Sequence, residues 1–245
     1  MKNTRYTLLD ILRGMTLISM IFYHGTWDLV YLFQVDLSWY DGPVGLLWQQ
    51  SIYWTFILLS GFCFAISKKS FRRGLEVLCA SIIITVGTLI FMPDARIIFG
   101  VLSALGTFML ISVPMDKILK KINPYIGFIL MFSLLLITLK INEGFLGFAK
   151  LYICPLPKAW YANLFTTFLG FPHENFFSAD YFPVFPWIFL FWSGYFLQGI
   201  CARLGFMKYL SPFHIKPLEW LGRHSLVIYM IHQPVIYGVL FLIFL

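Results

Sequence analysis

Asp10, Arg13, Leu17, Met20, His24 and Asp28 recur at steps of three and four along the first long apolar run. That spacing puts them on one stripe of an α-helix. Ionisable groups inside a membrane span are costly and mark function by default, so an Arg, a His and an Asp on one stripe point to acid–base or charge-handling chemistry. Asp10 and Arg13 lie at the start of the run, where they can pair. His24 follows about 16 Å beyond Arg13, at ~1.5 Å per residue, and Asp28 one turn later. A carboxylate beside a histidine fixes its tautomer and raises the basicity of the other ring nitrogen, which is what a general base requires. The structural alternatives are an interfacial ion pair at Asp10 and Arg13 and a helix-contact role for His24.

The last apolar run opens with Glu219-Trp220-Leu221-Gly222-Arg223-His224-Ser225 and carries His232, Gln233 and Pro234. Pro234 removes a backbone hydrogen bond near mid-span, and polar groups or water must satisfy the freed carbonyl, which favours a cavity that His232 and Gln233 could line. A simple kink and a helix–helix hydrogen bond are the alternatives. Two histidines on separate helices also suggest axial ligation of haem. Depth argues against it, because His24 lies about 24 Å and His232 only about 10 to 14 Å from the start of helices of one orientation. Asp180-Tyr181-Phe182-Pro183, followed by Pro186-Trp187, sets an acid among aromatic faces, suited either to a polar acceptor such as a sugar or to anchoring at the interface. Ser60-Gly61, Gly100 and Gly106 are small residues that let helices approach. Four cysteines are scattered singly, without metal or disulfide spacing, and no metal is expected.

These residues need elements to hold them. The 245-residue chain is 60% hydrophobic and 12% charged, with a mean hydropathy of +0.81. Soluble domains carry about 25% charged residues, so this is an integral membrane protein. Seven runs are long enough to span a bilayer: Leu8 to Phe33, Val44 to Ser67, Gly74 to Met92, Ile97 to Val113, Tyr125 to Lys140, Pro183 to Arg203 and Ser225 to Leu245. The first is too long for a signal-peptide core and lacks a cleavage site. Lys2 and Arg5, then Lys68 to Arg73, then Lys117 to Lys121, then Arg203 to Arg223 fill alternate gaps, while Asp36 and Asp41 occupy the first gap. The positive-inside rule then predicts an N-terminus inside and a C-terminus outside. The fold class expected is all-α, a polytopic bundle of about seven transmembrane helices forming one domain over 1–245. The net charge of +7 is thus spent on topology, and nucleic acid is not expected as a partner. Residues 142–182, rich in Phe, Tyr, Trp and Pro, are expected to form an extracytoplasmic cap with interfacial helices between helices five and six.

The motifs also resemble a known family. Leu9-Asp10-Ile11-Leu12-Arg13-Gly14 followed by His24 is similar to the opening helix of the transmembrane acyltransferase superfamily. Phe22-Tyr23-His24, Trp27-Asp28-Leu29, Ile98-Phe99-Gly100, Asp180-Tyr181-Phe182-Pro183 and the last-helix segments Leu221 to Tyr229 and His232-Gln233-Pro234 resemble bacterial relatives of the heparan-alpha-glucosaminide N-acetyltransferase catalytic domain. Phe62 after Ser60-Gly61 resembles the related acyltransferase-three branch. The chain departs from the pattern at Asp36 and Ser103, where relatives carry histidine. The resemblance implies transfer of an acyl group, commonly acetyl, from cytoplasmic acyl-CoA to an extracytoplasmic sugar or glycolipid, in a multi-pass protein of the bacterial inner membrane. Carried over, Arg13 sits by the acyl donor and His24 is the base or acyl carrier, with Asp28 holding its tautomer. Arg223 and Ser225 would join Arg13 at the cofactor, and the Lys68 to Arg73 cluster adds cations for CoA phosphates. His232, Gln233, Asp180, Tyr181 and Trp187 are the candidate acceptor-binding residues. Membrane lipids and a second copy in a homo-oligomer are the other partners expected, with neither metal nor haem. The rival reading is a proton-coupled small-solute carrier using Arg13, His24, Asp28 and His232 as a relay, and a third is a membrane scaffold without chemistry.

Overall fold

The computed structural model describes residues 5–244. Lys2, counted in the charge pattern, and Leu245, the end of the seventh run, lie outside the described residues. Long helices occupy all seven runs: α1 Thr7–Tyr31, α2 Pro43–Ile66, α3 Ser70–Phe91, α4 Val101–Leu119, α5 Pro124–Thr138, α7 Trp187–Arg203 and α9 Ser225–Phe244. Between them lie a β-hairpin, β1 Phe145–Phe148 with β2 Leu151–Pro155, and two short helices, α6 Leu164–Leu169 and α8 Lys216–Arg223. Among the described residues, five helices are long and apolar enough to cross a membrane: α2, α3, α4, the segment Pro124–Glu143 that contains α5, and α9. α1 carries Asp10, Arg13, His24 and Asp28, and α7 has 17 residues, so neither is among the five.

The chain divides into two compact units, Met1–Leu59 with Cys201–Leu245, and Ser60–Ile200. In the first unit α1 packs against α8 and α9. Lipid tails are as apolar as leucine, so helix association rests on close approach and hydrogen bonds. Glycine supplies the approach here: a Cβ on Gly14 would stand 2.3 Å from the Leu218 carbonyl oxygen, and one on Gly222 would stand 1.9 Å from that of Asp10. The chain then breaks at His224, whose ring lies over Trp220 at 4.6 Å, and α9 begins at Ser225. Leu17, Met20 and Ile52 form a buried cluster in this unit, with Tyr23, Trp48, Leu221 and Tyr229 packed on it. Trp48 Nε1 donates to Ser19 Oγ at 2.8 Å.

In the second unit α3 and α4 run against each other at Gly74 and Gly106, where a Cβ would press on Leu110 and Leu78. Gly61, expected as a packing residue, lies against the Phe191 backbone of α7, where a Cβ would meet the carbonyl oxygen at 1.8 Å. Trp192 Nε1 donates to Ser112 Oγ and the Tyr195 hydroxyl to Asp116, both at 2.8 Å, tying α7 to α4. Asn123 caps α5 by accepting from Tyr125 N, with Pro124 at the first helical position, as its fixed φ favours.

The cap differs from the expectation of interfacial helices. It holds a hairpin, single 3-10 turns and one six-residue helix capped by Asn163 and Thr166. Pro155 and Pro157 stop helix growth, and Phe145, Tyr152 and Ile153 suit a pleated surface better than a helix. Gly100 also departs from its expected helix–helix role. It is the N-cap of α4, where a Cβ would meet Asp180 Oδ2 at 2.9 Å.

Candidate functional site

Two polar layers are built on α1 within the first unit. The first surrounds two buried carboxylates, Asp10 and Glu219. Arg5 Nε donates to Asp10 Oδ2 at 2.7 Å, Arg13 Nη1 lies 3.3 Å from Asp10 Oδ1, and Arg223 Nη2 donates to Glu219 Oε2 at 2.6 Å. Arg223 Nε also lies 3.9 Å from Asp10 Oδ2, and His214 Nδ1 is 3.1 Å from Glu219 Oε1. Burying one partner of such a pair alone would be costly, and Asp10 is met by three guanidiniums while Glu219 is met by Arg223 and the His214 ring. Burial presses the Glu219 carboxyl upward, but the hydrogen bond and charge of His214 and the Arg223 guanidinium prevail and hold it below the ordinary glutamate value. Three guanidiniums against two carboxylates leave a positive balance, and the Arg5 and Arg223 side chains remain 55% and 40% exposed. Each guanidinium has five N–H donors, so the part-exposed Arg5 and Arg223 have more donors than their two carboxylates take up.

The second layer joins α1 to α9. Gln233 Nε2 donates to Asp28 Oδ1 at 2.5 Å, and the His24 and His232 rings meet at 4.9 Å between centroids, 61° between planes. His232 Nδ1 lies 2.5 Å from the Tyr229 carbonyl oxygen. A carbonyl only accepts, so Nδ1 carries the proton and the lone pair of the neutral ring sits on Nε2. Asp28 is fully buried and His232 nearly so. Among the described residues, three buried side-chain atoms in this layer have no hydrogen-bond partner, namely Asp28 Oδ2, Gln233 Oε1 and His232 Nε2. All three can accept a hydrogen bond.

Two expectations are corrected by this geometry. His24 and His232 do stand at one level, their ring centroids 4.9 Å apart. The argument from depth against their meeting therefore falls. Asp28 does not orient His24, since its Oδ1 is taken by Gln233 and no hydrogen bond joins the two among the described residues. The tautomer that is fixed is that of His232, by a backbone carbonyl three residues earlier. Ser225 stands at the first position of α9, between the two layers in sequence, and no hydrogen bond of its hydroxyl is formed among the described residues.

Asp180, Tyr181 and Trp187 belong to the second unit, where each has a structural partner. Asp180 Oδ2 accepts from Val101 N at 3.1 Å and so caps α4, and burial pushes its carboxyl up to about 6. The Tyr181 hydroxyl donates to the Thr167 carbonyl at 2.5 Å. The Trp187 ring packs on Phe182 at 5.5 Å. Among the described residues no group of three or more His, Cys, Asp or Glu is placed to hold a metal ion. Sequence reasoning missed Arg5, His214 and Glu219 as members of the ionic layer. The i,i+4 spacing of Glu219 and Arg223 was the available signal.

Residues 5–234 match the family model described as heparan-alpha-glucosaminide N-acetyltransferase, catalytic. The chain belongs to that family, and membership makes it an acetyltransferase-type membrane enzyme of the transferase class; it does not favour the carrier reading. No curated protein and no solved structure matches the chain.

Proposed function

We propose that this member of the heparan-alpha-glucosaminide N-acetyltransferase catalytic family moves an acetyl group from cytoplasmic acetyl-CoA to an amine or hydroxyl of an extracytoplasmic sugar or glycolipid. The observation that carries this reading is the group of three buried acceptor atoms, Asp28 Oδ2, Gln233 Oε1 and His232 Nε2, next to a second imidazole. Each buried acceptor left unmet costs about 1–3 kcal/mol, and an attacking amine or hydroxyl brings the N–H or O–H donors that would satisfy them. His232 Nε2 takes the proton as the nucleophile attacks the thioester carbonyl, and the resulting N–H returns it to the departing CoA sulfur. His24, edge-on to His232, flanks the reacting carbon. Asp28 and Gln233 position the acceptor.

The ionic layer supports the donor end. Arg13 and Arg223 present guanidinium N–H groups suited to phosphate oxygens, about 16 Å from His24 along α1. The interval is filled by Leu17 and Met20, which are fully or almost fully buried, so the donor arm enters only when this plug parts from α9. Seven crossings follow if α1 and α7 span with the five apolar helices. The loop cations then set the N-terminus inside and the C-terminus outside.

The test is transfer of label from radiolabelled acetyl-CoA to a panel of amino sugars by purified protein. His232→Ala should lower kcat by at least about a hundredfold with little change in KM for acetyl-CoA, as expected for loss of a general base, and His24→Ala should also lower kcat. Label transfer unaffected by either substitution would refute the assignment.

A further inference from the structure

We propose that the cleft joining the end of α2, the start of α3 and the last turns of α4 is a binding site for an anionic phospholipid. It goes beyond the acyl-transfer reading and does not depend on it. The cleft has a volume of about 210 Å³ and is lined by a polar rim of Ser67, Lys68, Asp116 and Lys120 and by an apolar floor of Phe64, Phe71 and Val113. Seven cations lie in the connection and first turn around Lys68 to Arg73 and in Lys117 to Lys121, against two carboxylates, Glu76 and Asp116. Arg72 is engaged by Glu76, and Lys120 by Asp116, which also accepts from the Tyr195 hydroxyl. Arg73 Nη1 donates to Ser67 Oγ at 3.2 Å. The Lys68 ammonium has no partner among the described residues. The N-cap residue of α3, Lys69, makes no side-chain cap, so the first-turn backbone N–H groups add to the positive field.

The floor decides which anion fits. Phe71 is 57% exposed, and Leu75, Ile82, Val86 and Ile90 continue from it as exposed residues along one face of α3, at helical spacing. A soluble phosphate would use the rim alone. A phospholipid uses both parts, with its phosphate between Lys68 and Lys120 and an acyl chain laid along the stripe below Phe71. Sequence reasoning allotted these cations to CoA phosphates, but that ligand has no use for an apolar stripe leading away from the rim.

Native mass spectrometry of the full chain released from detergent, with equal amounts of phosphatidylglycerol and phosphatidylcholine added, tests this. Wild type should retain phosphatidylglycerol preferentially. Each lysine near the headgroup contributes about 1 kcal/mol, so Lys68→Gln/Lys120→Gln should lower that retention by roughly 30-fold. Lys208→Gln/Lys216→Gln, which removes the same charge elsewhere, should leave it unchanged. The proposal is overturned if the cleft variant retains phosphatidylglycerol as wild type does, or if the control variant loses as much. It is overturned equally if inorganic phosphate or acetyl-CoA displaces the lipid from wild type mole for mole.

Discussion

Gln233→Leu isolates the contact that couples α1 to α9. The substitution keeps an apolar side chain of similar length and removes the amide that donates to Asp28 Oδ1 at 2.5 Å. Asp28 is fully buried and its Oδ2 is already without a partner, so the variant strands both carboxyl oxygens. Interhelical hydrogen bonds in membranes average about 0.6 kcal/mol and reach about 1.7. Leaving a buried acceptor unmet adds its desolvation cost, about 1–3 kcal/mol, which sets the expected loss. For a chain of this size that is a fall in Tm of about 2–4 °C for each kcal/mol, measured by thermal unfolding in detergent through tryptophan fluorescence. Replacing both partners with apolar groups removes the stranded carboxyl along with the bond, so Asp28→Leu/Gln233→Leu should recover most of the lost Tm while remaining inactive. A Gln233→Leu protein as stable as wild type would refute the reasoning. A double variant no more stable than the single one would refute it too.

Gly222→Ala places a Cβ 1.9 Å from the Asp10 carbonyl oxygen, so α8 must move from α1. Overpacking of this kind costs about 1–3 kcal/mol, and because the shift carries Arg223, KM for acetyl-CoA should rise more than kcat falls. Gly87→Ala, where nothing lies within 4 Å, should instead leave Tm unchanged or raise it slightly through helix propensity. Asp180 holds its proton up to about 6 in the folded chain against an ordinary 3.8. Its stabilising contribution is therefore complete below 3.8, declines as pH rises toward 6 and levels off above. Asp180→Asn keeps an acceptor for Val101 N without the titration, so the Tm of wild type minus that of the variant should decline across this window. A flat difference would remove Asp180 as its cause.

The sequence alone determined where the seven long helices run and which residues share the α1 stripe, because apolar length and a 3.6-residue period are local properties. It also exposed His24, Asp28, His232 and Gln233 as anomalies, since polar groups in apolar runs are conspicuous without any knowledge of neighbours. It could not assign partners. Asp28 falls to Gln233 and not to His24, and His24 meets His232, through the way α1 and α9 pack against each other. The same holds for Asp180, which caps the start of α4 at Val101, 79 positions away. Contacts such as Asp28–Gln233 and His24–His232, 205 and 208 positions apart, depend on how helices pack together, and that packing is a property of the assembled chain.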